Sequence, residues 1–444
     1  MTSLQPYSSP PRWLSLRLLL GGVVAAALVL LARHHDLSWS TLLALKASAS
    51  GLWWRCGFSL IVLVTALLLA LCTGLIVGLS ARSIGARTEA FVAFVGRGLA
   101  CVPVVVMVWG FIGGWVGQLG WPVESLMPAQ FPGTQEGWPT SVARTLWEVL
   151  VPALVLALPL SGEMMHGVVA DGLETVNLEF SLCARSVPKG SRLWFHHLRQ
   201  LLPLLRVRLQ SLCLIAPVYL IIIEDALRFM GWGGGLARSL RAGDADGIAL
   251  GFLSGGFMMA LLCACLHLPR GGLKSSQNPV STLVWQPWLL WALGTMALLP
   301  WASLTWVVLW FAVLLSGSTG WYHAWVCIED QLPAEAARAL GASEQGIWRE
   351  HFAPLQIRML TAWICAVFAQ TLLGIAMACA LQPRLIGELN GPLARLFRPL
   401  AVSTIQDAAQ TPAEPAALLQ AGGGITVVAL CLVQVSRIVQ PRIL

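Results

Sequence analysis

Apolar windows recur along the chain at about 14 to 32, 57 to 80, 91 to 117, 144 to 162, 207 to 228, 248 to 268, 284 to 299, 301 to 317, 360 to 381 and 425 to 438, each near or somewhat short of the ~20 residues a helix needs to cross a bilayer. The pattern predicts an all-α polytopic membrane protein with about ten transmembrane helices. The pair around Pro300 and Trp301 reads as two short spans hinged there, in preference to one long buried segment. Between Gln382 and Gly424 the chain is rich in Gly, Pro, Ala and Gln, includes Thr411-Pro412-Ala413-Glu414-Pro415 and ends in Gly422-Gly423-Gly424, which predicts an external irregular stretch.

Basic residues test this layout, because loops on the cytoplasmic side carry an excess of Lys and Arg. With Arg12 and Arg17 inside, alternation places Arg82 and Arg87 inside, then the group from Arg185 to Arg208, then Arg270 and Lys274, then Arg338, Arg349 and Arg358, and last Arg437 and Arg442. The densest basic loops therefore share one side, while Arg33, Lys46, Arg228, Arg241 and Arg384 fall on the other. The same alternation requires an even number of crossings between Lys274 and Glu335, which the hinged pair supplies. Both termini are then cytoplasmic. Arg12, Arg17 and the apolar run from Leu18 to Leu31 resemble a signal sequence, but the run is long and ends in Ala32-Arg33-His34-His35 without a small-residue cleavage site, so it reads as an uncleaved first span.

Composition excludes the soluble classes. Of 444 residues 57% are hydrophobic and only 11% charged, far from the balance of a soluble domain. The net charge of +7 needs no nucleic acid, since basic loops beside anionic lipid account for it. The 11 Cys sit mostly inside apolar windows, as Cys72, Cys213, Cys263, Cys265, Cys365 and Cys379 do, with no zinc-ligand spacing. Trp is abundant, at 21 residues, and Trp285, Trp288, Trp291, Trp301, Trp321 and Trp325 lie near span ends, where the ring anchors at the headgroup layer. No catalytic motif is present: there is no phosphate loop, metalloprotease helix or nucleophile elbow, and no metal site is expected.

One polar island breaks the apolar run. Glu335-Ala336-Ala337-Arg338-Ala339-Leu340-Gly341-Ala342-Ser343 is followed by Ile347, His351 and Pro354. Pro333 suits a first helical turn, the Ala-rich stretch propagates it, Gly341 terminates it, and Ser343 caps a second short helix that runs to the break at Pro354. Glu-Ala-Ala, then Gly, then a Pro thirteen positions beyond that Gly resembles the cytoplasmic "EAA" loop of bacterial ABC importer permeases, most closely in the dipeptide, oligopeptide and nickel branch. In that family the loop is the helix that inserts into a groove on the ATPase subunit. The resemblance therefore implies ATPase coupling by Glu335, Ala336, Ala337, Gly341, Ser343, His351 and Pro354.

A worn counterpart lies earlier. Glu179-Phe180-Ser181-Leu182-Cys183-Ala184-Arg185 leads to Gly190, and Pro203 follows that Gly by the same thirteen positions. Ala184 stands where the later copy has Glu335, and Pro188 intrudes before the Gly. The resemblance extends the coupling role, in degraded form, to Glu179, Ala184, Arg185, Gly190 and Pro203. Beyond this loop, Glu224-Asp225-Ala226-Leu227-Arg228-Phe229-Met230-Gly231-Trp232-Gly233 has the spacing E-x-x-L-x-F-x-G-x-G, which looks like the signature after the loop-following span in the same branch. The Gly231 to Gly235 cluster reads as an external re-entrant turn and not a phosphate cradle, because no Gly-Lys-Ser/Thr follows.

The expected organisation is two fused permease units: 1–270 with about six spans, a cytoplasmic linker at 271–282, and 283–444 with about four spans. The resemblance implies a transmembrane, non-catalytic subunit of the bacterial inner membrane. It would take ATP and Mg only through partner ATPase subunits, with a periplasmic or lipid-anchored substrate-binding protein, surrounding lipid, and room for a second permease chain. Ionisable residues inside apolar windows are few: Arg97, Glu163, Glu224 and Asp225. Such charge is costly and often marks a path. Glu224, with Phe229, Gly231 and Gly233, reads as a translocation-path or gate element, and equally as a helix-end carboxylate beside Arg228. Glu163 reads as a solvated cytoplasmic end, and Arg97 as a snorkelling or interface-paired residue. The rival readings are a secondary transporter or channel without ATPase partners, and a permease-like scaffold that no longer transports. Both loops must face the cytoplasm if either couples to an ATPase. Single Cys labels at Ser191 and Ser343 in an otherwise Cys-free chain are expected to resist a membrane-impermeant thiol reagent in intact cells and to react in inverted vesicles; opposite accessibility of the two would end the two-unit reading.

Overall fold

The structure is a computed structural model describing residues 52–112, 138–176, 215–227, 231–242, 244–265, 343–349, 353–381 and 414–439, with isolated positions at 19, 22–23, 26–27, 205, 208–209, 212–213, 229 and 340–341. All regular structure among the described residues is helical. The helices are α1 (Leu52–Ile84), α2 (Ala86–Cys101), α3 (Val104–Ile112), α4 (Trp138–Val176), α5 (215–226), α6 (Trp232–Ala242), α7 (Ala245–Cys265), α8 (Glu344–Ile347), α9 (Ala353–Leu381) and α10 (Glu414–Val439). Three stretches are long and apolar enough to cross a membrane, Leu52–Ala81, Glu148–Val169 and Ala245–Leu262. The bent pair α2–α3 adds a fourth if it is one span. The described residues thus carry three or four of the expected spans, and the windows near 284–299 and 301–317 lie outside them.

Where windows and helices can be compared, three differ. The window from 91 to 117 is not one straight helix: α2 and Val104–Phe111 meet at 95°. Pro103 causes the break, because its ring disfavours helical backbone at the preceding residue, and Val102 is accordingly extended at φ −73°, ψ 124°. Val106 and Met107 then donate to the Pro103 carbonyl at 2.9 and 3.2 Å, starting a new helix. The window from 144 to 162 extends on, so that half-buried Glu163 lies inside the apolar stretch Glu148–Val169 and not at its end. Finally, the stretch expected to be irregular up to Gly424 is helical from Glu414 onward, and Gly422 lies against Val106 of α3, where a Cβ would collide with the valine side chain. A glycine run that signals a turn by composition here permits close helix approach.

The same device sets the main packing. Gly74 and Gly78 of α1 press on Met164 and Val168 of α4. Gly96 of α2 and Gly162 of α4 approach backbone to backbone, each leaving no room for a Cβ beside the other's carbonyl. Small residues matter here because lipid gives apolar side chains no reason to leave it, so helix association relies on close contact. Between α1 and α2, Gly85 adopts φ 139°, outside the range of L side chains, and its carbonyl receives the Thr88 and Glu89 amides at 3.0 and 3.1 Å.

One core joins both expected units. Val104, Val105, Val106, Val108 and Trp109 of α3 are buried in a single cluster with Leu63 and Ala66 of α1, Leu156 and Leu160 of α4, Ile375, Ala376 and Cys379 of α9, and Ile425 of α10. On the opposite face, Leu150, Leu154 and Leu158 of α4 are exposed at four-residue intervals, a stripe facing outward as lipid requires. Trp53 and Trp54 are exposed at the start of α1, Trp53 edge-on to Phe257 of α7 at 6.4 Å. This suits the membrane interface. Because Gly162 meets backbone as well as Leu99, Gly162→Val is expected to lower stability by about 1–3 kcal/mol through overpacking, read as a lower unfolding midpoint of the detergent-solubilised chain. A midpoint equal to that of the unaltered protein would contradict the α2–α4 contact.

Candidate functional site

The residues of the E-x-x-L-x-F-x-G-x-G stretch converge on one buried carboxylate. α5 ends just beyond Glu224: Leu227 donates to the Ile223 carbonyl at 2.9 Å and Phe229 to the Glu224 carbonyl at 2.8 Å, which turns the chain back toward α6. The Glu224 side chain, 0% exposed, then lies under the first turn of α6. Gly234 donates its amide to Oε2 at 3.0 Å, and Ser59 of α1 donates its hydroxyl to Oε1 at 2.6 Å. The Ser59 Oγ in turn accepts the Trp232 amide at 2.8 Å. These amides are among the four that a helix start leaves without intrahelical partners, so the carboxylate and the hydroxyl together cap α6. The positive end of the helix offsets the buried charge.

Each position of the spacing acquires a packing reason. Leu227 is buried, and Phe229 lies against Phe58 with ring centroids 6.2 Å apart. A Cβ on Gly231 would collide with the Glu224 carboxyl group. On Gly233 it would come within 2.7 Å of the Ile221 backbone, and on Gly234 within 2.5 Å of the Phe229 carbonyl. Trp232 completes the node, its indole N–H donating to the Gly251 carbonyl of α7 at 2.8 Å while Gly255 makes room for its ring. Just outside, Asp225 forms an ion pair with Arg241, and Arg238 Nε donates to the Gly234 carbonyl at 3.0 Å. The Gly231 to Gly235 cluster is therefore chiefly a helix start, with only Gly231 in the bend before it.

Glu224, Phe229, Gly231 and Gly233 are thus brought together, while Arg228 lies outside the described residues. Ser59 and Trp232 complete the site, and neither belongs to the motif spacing expected of it. Ser59 carried a faint signal, being a hydroxyl on the same helical face as buried Val62, Leu63, Ala66 and Ala70.

The second candidate site is the loop before α9. Gly341 has φ 82°, the left-handed conformation expected of a terminating glycine. Ser343 caps the next turn: its Oγ accepts the Gly346 amide at 3.2 Å and its carbonyl the Ile347 amide at 2.9 Å. Ile347 is buried, whereas Leu340 at the turn is 88% exposed. Pro354 is the second residue of α9, in the first turn where a missing N–H costs nothing. Glu335, Ala336, Ala337 and His351, together with the whole earlier loop (Glu179, Ala184, Arg185, Gly190 and Pro203), lie outside the described residues.

Arg97, expected to snorkel or pair, donates from Nη1 to Gln434 Oε1 of α10 at 2.9 Å. Elsewhere in the spans, Thr73 of α1 donates to Ser161 Oγ of α4 at 2.7 Å. No group of three metal-ligating side chains occurs among the described residues. No family model, curated protein or solved structure matches the chain.

Removing the carboxylate should be costly in a graded way. Glu224→Ala leaves the Ser59 hydroxyl and the Gly234 amide buried without their acceptor, and a loss of about 2–4 kcal/mol is expected from two such groups. Glu224→Gln keeps one acceptor oxygen and most of the volume, and should lose less. Unfolding midpoints in detergent check the order, and an Ala variant as stable as the Gln variant would refute the capping role.

Proposed function

We propose that this chain is the membrane-spanning subunit of an ATP-driven importer similar to the dipeptide, oligopeptide and nickel permeases. It provides the path for a peptide or related small solute, while separate ATPase subunits bind ATP and Mg. The observation that carries the proposal is the geometry from Leu340 to Pro354. A left-handed Gly341 and a Ser343-capped helical turn lie within a few residues of the chain before the start of the 29-residue helix α9. This is the form a coupling loop needs, since a short capped helix next in sequence to a long one can pass a push on to it. The exposed Leu340 supplies an apolar tip for a partner groove.

The Glu224 node supports the same reading independently. By fastening α1, α5, α6 and α7 to one carboxylate, it lets those elements move as a block around a path. On this reading Glu224, Phe229, Gly231 and Gly233 act at the path by holding its wall. The setting is a bacterial inner membrane, with a periplasmic or lipid-anchored binding protein delivering the solute. A second reading, a secondary transporter without ATPase subunits, is favoured by the elbow at Val102 and Pro103, because broken helices in such transporters commonly form their binding sites.

Affinity purification of the tagged chain from its native membrane separates the two: the importer reading expects an ATPase with a phosphate-loop motif to come with it, and a chain that consistently purifies without one would sink it. Within such a complex, Gly341→Val is expected to insert normally yet to uncouple ATP hydrolysis from transport, because a β-branched residue does not tolerate positive φ. Substrate-stimulated ATPase activity unchanged from wild type would count against the lever.

A further inference from the structure

Arg97 is a half-buried cation on α2 with a neutral partner. It lies eleven residues beyond Ala86 at the start of α2, roughly 16 Å along the helix axis, between Gly96 and Gly98. Nη1 is held by Gln434 of α10, and no carboxylate of the described residues comes within ion-pair distance. Nε is buried and has no hydrogen-bond acceptor. The edge of the guanidinium formed by Nε and Nη2 is the one that grips a carboxylate in two parallel hydrogen bonds. Here that edge is oriented by the bond at Nη1 and has no acceptor among the described residues.

The surroundings agree with a site and not with a simple tie. One turn beyond Arg97 the helix ends at Cys101, and the chain breaks at Val102 and Pro103. Irregular backbone at membrane depth is tolerated where it is buried in protein or lines a cavity. The bond from Arg97 to Gln434 joins helices of the two expected units, the kind of boundary at which transporters place substrates. Gly96 backs onto Gly162 and His166, which fixes the helix face from which Arg97 projects.

We infer that Arg97, oriented by Gln434, receives a carboxylate of the transported solute. A single guanidinium matches one negative charge, which fits a carboxylate better than a dianionic phosphate. The inference rests on the reading of this chain as a solute path, and it adds the chemical feature by which the solute is recognised.

The test uses the purified full chain in detergent, with acetate as the probe and its uncharged isostere acetamide, and with chloride to hold ionic strength constant. Acetate is expected to raise the unfolding midpoint of the wild type saturably, by a few degrees, while acetamide and chloride do not. Arg97→Gln should abolish the rise. Arg97→Lys, which keeps the cation and loses the fork, should weaken the apparent acetate affinity by about tenfold and remains informative where the Gln variant does not accumulate. No acetate-specific rise, or an equal rise in the variants, would overturn the inference and leave Arg97 as a tie to Gln434. So would displacement of acetate by phosphatidylglycerol micelles, since Arg97 would then be reaching a lipid phosphate. Acetate binding by a chain that brings no ATPase would keep this site and remove the importer reading, so the two failures are distinguishable.

Discussion

The arrangement of α1, α5, α6 and α7 depends on a buried carboxylate having its acceptor capacity met. Glu224 is enclosed by α1, α5 and α6, with α7 reached through Trp232. Water cannot serve it there, and an ionised group without partners in such a place would cost several kcal/mol. The solution joins two incomplete structures. A helix start has amides without acceptors, and the carboxylate has oxygens without donors. Ser59 extends the arrangement by donating to the carboxylate and accepting from Trp232 at once. The three glycines around it follow from geometry: Gly231 leaves room for the carboxylate itself, and Gly233 and Gly234 for the Ile221 and Phe229 backbone beside it.

A second constraint governs the contacts between helices. Helices surrounded by lipid associate through contact and polar bonds between them, and the contacts here are backbone approaches at Gly74, Gly78, Gly96, Gly162 and Gly422. Polar bonds between helices include Thr73 to Ser161 within the first expected unit and Arg97 to Gln434 between the units. The short helix α3 profits from both. Its residues from Val104 to Trp109 are all buried, so the bend that takes it away from α2 is supported by protein on every side.

What the sequence reveals follows from the range of the forces involved. Gly341 and Ser343 were legible because a terminating glycine and a capping serine act on backbone within a few residues, and the geometry they predict is the geometry found. Spans such as α1 and α7 were legible because length and apolarity alone decide them. The elbow had a signal in Pro103, but the largely apolar run from Phe91 onward, broken only by Arg97, outweighed it in a window average. Gly422 to Gly424 misled for the opposite reason: glycine marks turns when it acts through its own backbone and helix contacts when it acts through a neighbour, and only Val106 of a distant helix distinguishes the two. The E-x-x-L-x-F-x-G-x-G spacing was visible as a pattern, yet its cause required Ser59, 165 residues away from Glu224.

The bond between Arg97 and Gln434 has a consequence for how the molecule is made. Its partners are separated by 337 residues of chain, and at a synthesis rate of ~5–20 residues per second roughly 17 to 67 seconds pass between their emergence. Throughout that interval α2 carries a cation without its amide partner, and α3 lacks the α10 surface that Gly422 presents to Val106. Nascent α2 and α3 must therefore be sheltered, by the insertion machinery or by staying near the aqueous face, until α10 arrives to close the bundle. The timing of biogenesis is written into a single long-range hydrogen bond.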